Sequence, residues 1–151
     1  MELGAATAEI YFRHAFIQML DVADRLGEMR VNERPFGAET NAVAALIIHC
    51  CELTEFWLGH VGLARPTHRD RESEFSRTAS VPELHAAVET TMATIGLDLR
   101  RIEAGETVPS EIRQFLTGGD ESDGSVVLHV LEEIYQHLGH MEITADALTS
   151  R

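Results

Sequence analysis

Apolar residues recur at steps of three and four over four stretches of this chain, each roughly 20 residues long, and none shows sustained strand-type alternation. The first runs from Thr7 to Arg30, with Ile10, Phe16, Ile17, Leu20 and Leu26 contributing to a face. It stops before "NERPFGAET", which Pro35 and Gly37 punctuate. Thr40 or Asn41 is placed to cap a second helix, "AVAALIIHCCELTEFWLGHVGL", ending near Leu63. Ser80, Pro82 and Glu83 supply cap, first-turn proline and first-turn acid for a third helix reaching Ala104. Its apolar side carries Leu84, Val88, Met92, Ile95 and Leu99. Ser125, or Asp123 just before it, opens a fourth that ends near Leu148. These lengths suit a small bundle, so the pattern predicts an all-α fold, one helical bundle domain over residues 1–151.

Two connectors remain. "ARPTHRDRESEFSRTAS", residues 64–80, is long for a loop and is expected to be functional or ordered by packing around Phe75. Its "RDRESEF" reads most simply as a solvated loop. Arg65, Arg69 and Arg71 would receive an anionic substrate only if the connector folds over a site. In "GETVPSEIRQFLTGGDESDG", residues 105–124, "SEIRQFL" is expected to make a short helical turn. "TGGDESDG" lacks the lysine and strand context of a phosphate loop.

Twelve basic against 25 acidic residues give a formal charge of −13. Such a surface repels phosphate backbones and anionic lipid, so neither nucleic acid nor membrane is an expected partner. The two cysteines, Cys50 and Cys51, are adjacent and cannot staple a secreted fold; a reducing cytoplasm is the expected location. No apolar run approaches the roughly 20 residues needed to cross a bilayer. The opening "MELGAATAEIYFRHAF" lacks the basic start of a signal peptide.

Polar residues in the fourth helix carry the chemistry. Within "HVLEEIYQHLGH", Glu133 lies about 40° around from His129, His137 about 80° and His140 about 20°, so the four form one stripe. Glu132 falls to the other side and reads as a surface carboxylate. Leu128, Leu131, Ile134, Leu138, Met141 and Ile143 border the stripe, a costly setting for carboxylate and imidazole unless they are paired or metallated. Glu133 and His137 can reach one ion. His49, in the apolar "ALIIHCCELTEFWL", is the best third ligand from a facing helix. Two histidines and a carboxylate would leave positions open for water or substrate. The same residues also fit an ordinary hydrogen-bonded histidine beside an i,i+4 pair. His14, His60, His68 and His85 lack paired ligand spacing, and Cys50 and Cys51 read as small buried hydrophobes. Phe56 and Trp57 are expected in the core or an interface.

"NAVAALIIHCCELTEFWLGH" followed much later by "VVLHVLEEIYQHLGHMEITADAL" resembles the DinB-like superfamily, and within it the branch around mycothiol-dependent maleylpyruvate isomerase. The resemblance spans nearly the whole chain. It implies an up-down-down-up four-helix bundle and a divalent metal, zinc or nickel, held by His49, Glu133 and His137. His129 and His140 match recurrent positions, neither as an assigned ligand, and His140 has a role as general base, substrate contact or ligand-orienting group. The implied activity is that of a transferase or isomerase that adds a low-molecular-weight thiol of mycothiol type to a small electrophilic substrate. A homodimer is implied as well. The further C-terminal domain of some isomerase-like relatives is not expected here. Other readings stay open: a metal-dependent hydrolase with the same ligands, a non-enzymatic metal- or ligand-binding bundle, or a structural dimer without metal.

Overall fold

The computed structural model describes residues 3–150, so Met1, Glu2 and Arg151 of the expected domain, and the first two residues of its opening segment, lie outside it. The elements are α1 (Ala5–Arg30), α2 (Val43–Thr54), α3 (Arg71–Glu74), α4 (Val81–Glu103) and α5 (Asp123–Thr149). A π-helical segment, Glu55–Gly62, continues α2, and 3-10 turns at Glu111–Phe115 and Thr117–Gly119 occupy the second connector. No strand occurs among the described residues, and no helix is long and apolar enough to cross a membrane.

In α1 the buried stripe is Ala8, Phe12, Ala15, Phe16, Met19, Val22, Ala23 and Leu26. Leu20 packs against it partly buried. Ile10 and Ile17, expected on that stripe, are seven residues apart on another side and are more than half exposed. Alanines at the inward positions let neighbouring helices approach closely, which the expected set omitted. Gly27 stands at φ 65°, ψ −179°, so α1 is two helical runs joined at a glycine.

Capping differs at one of the expected starts, that of α2, while α5 begins at Asp123, one of its two expected starts. Ala42, not Thr40 or Asn41, precedes α2 without a side-chain cap, and the Thr40 hydroxyl instead donates to the Gly37 carbonyl in the preceding turn at 2.7 Å. Ser122 caps α5 by accepting from the Ser125 amide, leaving Asp123 as the first helical residue. Ser80 and Glu83 form a full capping box on α4, as their spacing predicts.

The four long helices form one core. α1 and α2 each pack on both α4 and α5 and lie diagonally across the bundle from one another. Pairs along the helices fix their directions. Ala5 bonds Glu103 and Asp24 bonds His85, so α1 and α4 are antiparallel. Tyr135 bonds Tyr11 and Arg30 bonds Leu148, so α1 and α5 are parallel. His49 meets His137 and Trp57 meets His129, so α2 and α5 are antiparallel. α2 is buried on nearly all sides, as an all-round apolar helix must be, and this is what drives His49 into the interior.

Candidate metal centre

His49, on α2, is 2% exposed and faces α5. Its ring lies edge-on to that of His137, centroids 4.6 Å apart. One turn N-terminal of His137, a Glu133 carboxylate oxygen stands 3.7 Å from His137 Nε2. One ligand atom from each of His49, Glu133 and His137 lies within 4.8 Å of the others, close enough to share an ion. The three residues expected from spacing are therefore brought together. Two imidazoles and a carboxylate suit zinc and other first-row divalent ions, so the donor set fits such a metal. The metal's identity is not set by these residues.

The connector supplies what the sequence did not reveal. Glu74 is fully buried, and its Oε2 accepts from His49 Nδ1 at 2.6 Å. With the proton held at Nδ1, the Nε2 lone pair is left free toward α5, the arrangement that metal-binding histidines need. Arg69 clamps the same carboxylate, Nε to Oε1 at 2.6 Å and Nη2 to Oε2 at 3.1 Å. Burial alone would raise the Glu74 pKa, but the bonds from Arg69 and His49 outweigh it and hold the carboxyl below its usual range. Phe75 lies against the other face of His49, ring centroids 4.6 Å apart. "RDRESEF" is thus not a solvated loop throughout: Asp70, Arg71 and Glu72 are exposed, while Glu74 and Phe75 close over His49. The ordering role expected of Phe75 is the part that holds.

Burial, then the neighbouring His49, push the His137 pKa below its usual value against the pull of Glu133. At neutral pH that favours the uncharged imidazole, the form that binds metal. Cys50 lies in the same interior, and burial first, then Cys51, Glu133 and Glu74, raise its thiol well above the ordinary value. Burial drives Cys51 up to about 12 against a Thr91 hydrogen bond. Neither thiol is a nucleophile at neutral pH.

A cavity of about 470 Å³ adjoins two of the three candidate ligands, His49 and Glu133. Its walls include His49, Glu133, His129, Phe56, Trp57 and Phe115. Phe56 and Trp57 come from the first turn of the π-helical segment, a helix form that recurs at functional sites. Arg65 folds back on that segment, binding Glu55 and Asp98. Its tip lies 2.7 Å from where a Gly59 Cβ would stand, so a larger residue there would displace the guanidinium. Arg65 is consequently not available to a ligand. His129 packs edge-on against Trp57 at 4.5 Å and lines the cavity. His140 is half-buried beyond His137 and is not among the lining residues. His14 and His85 bond Gln18 and Asp24, and His60 bonds the Arg65 carbonyl, as expected of histidines without ligand spacing.

Compared with known proteins, no family model matches the chain, and no curated protein and no solved structure matches it either.

Proposed function

We propose that this protein is a divalent-metal-dependent enzyme of the DinB-like type, a transferase or isomerase that uses a low-molecular-weight thiol against a small electrophilic substrate. One observation carries the reading: His49, Glu133 and His137 converge beside a cavity, leaving room for more than protein ligands. A bundle that merely stores or senses metal has no need of that space. The helix directions support the up-down-down-up order, since α1 and α5 run one way and α2 and α4 the other.

A bound divalent ion supplies Lewis acidity, lowering the pKa of a thiol or water and polarising a carbonyl. The chain's own residues do the rest. Glu74 fixes the His49 tautomer, Arg69 holds Glu74 charged, and Phe75 keeps the ring from turning. Phe56, Trp57 and Phe115 give one side of the cavity an apolar wall. Proton transfer falls to His129, which the cavity reaches, rather than to His140. The exposed Tyr11 and Leu128, with Leu131 and Tyr135, make an apolar α1–α5 face that supports a homodimer.

The test begins with elemental analysis of tag-free protein beside a His49→Ala/His137→Ala variant. About one equivalent of metal in the former and almost none in the latter is expected, with turnover of a small electrophile that requires added thiol. No metal after reconstitution with zinc, nickel, iron and manganese would overturn the reading. Metal-dependent turnover without thiol would make the protein a hydrolase instead.

A further inference from the structure

Charge in the metal cavity is distributed unlike charge on the rest of the molecule. The chain carries −13 overall, yet two arginines, Arg69 and Arg71, line this one cavity. Arg69 is committed: both contacts of its guanidinium fork go to Glu74, and its carbon centre sits 5.2 Å from the Phe56 ring. Arg71 is not. It opens α3, is exposed, and makes no ion pair or hydrogen bond through its guanidinium among the described residues. Asp70 beside it is turned to cap α3, its side chain accepting from the Ser73 amide. Glu74 balances Arg69, so a divalent ion with Glu133 as its one anionic ligand would leave the cavity, Arg71 included, in excess positive charge. Apart from His129, the remaining walls are apolar: Leu53, Phe56, Trp57, Ile112 and Phe115.

We propose that the cavity takes a small monocarboxylate with a flat apolar body, its carboxylate paired with Arg71 and its body along Phe56, Trp57 and Phe115. This rests on the metal-dependent reading for the chemistry that follows binding, but not for binding itself. An unpaired guanidinium presents a planar fork that matches a carboxylate edge in two parallel hydrogen bonds. A phosphate dianion calls for more donors than one free arginine at the rim provides. Aromatic walls hold a flat body by stacking and by removing its apolar surface from water.

Trp57, the only tryptophan in the chain, lies in the cavity at 8% exposure and reports occupancy by its fluorescence. Benzoate, benzamide and phenyl phosphate are titrated into metal-loaded and metal-free protein, and into Arg71→Ala. Benzoate is expected to bind about tenfold more tightly than its neutral isostere benzamide, the worth of one charge-assisted pair. The preference should persist in metal-free protein and fall to within about twofold in Arg71→Ala, whose metal content stays unchanged. Equal binding of benzoate and benzamide, or a preference that survives Arg71→Ala, would overturn the proposal. Tighter binding of phenyl phosphate than of benzoate would overturn the carboxylate class. A protein that takes up no metal but keeps the Arg71-dependent preference would sink the enzyme reading and leave this one standing.

Discussion

Replacing Glu74 with glutamine preserves its shape while removing the charge that holds the His49 Nδ1 proton in place. Metal affinity is expected to fall about 10–100-fold, the usual effect of losing a partner that orients a ligand. Competition with a chromophoric chelator measures this, and an unchanged affinity would reduce Glu74 to a buried partner of Arg69. At this scale the sequence was informative where ligands share a helix. Glu133 and His137 are one turn apart, and that geometry is the helix's own. His49 stood out as a lone imidazole in an apolar run. Glu74 was illegible because its burial depends on a fold-back of the connector, and nothing in "RDRESEF" distinguishes a glutamate aimed at the core from its exposed neighbour Glu72.

Among the elements, two glycines with open space around them should respond in opposite ways. A Cβ at either Gly27 or Gly139 meets nothing within 4 Å. Gly27, however, holds a backbone conformation that is essentially glycine's alone, so Gly27→Ala is expected to destabilise the fold by about 1–3 kcal/mol. Gly139 is an exposed residue inside α5, where alanine should add roughly 0.5–1 kcal/mol. Equilibrium urea unfolding reads both, and a loss at Gly139 would contradict the regular helix assigned there. Helix extents were legible because apolar periodicity and the Ser80–Glu83 box are local signals. The π-helical segment was not, since it is fixed by Arg65 doubling back to Glu55 and across to Asp98 on α4.

Across the whole molecule, the exposed α1–α5 face is where the proposed homodimer would form. A groove of about 860 Å³ runs along it, lined by Tyr11, Leu128, Leu131 and Tyr135. Tyr11→Glu/Leu128→Glu places two charges on that face without touching the core. Sedimentation velocity is expected to find a dimer for the native chain and a monomer for the variant, with helix content by circular dichroism unchanged. A native monomer would remove the dimer from the proposal. Four helices could be counted from the sequence, but not which pairs would touch. Placing α1 and α2 across a diagonal requires the side-chain volumes of four surfaces at once.

His49 owes its orientation to a residue outside the bundle's long helices, and that ties the site to a length of chain. The stretch from Arg69 to Phe75 spans the clamp, the buried carboxylate and the ring that covers His49. A single inserted or deleted residue there would uncouple all three together, whatever its chemistry. Lineages that keep the ligands should therefore keep this spacing too, and drift in its length would mark descendants in which the site has fallen out of use.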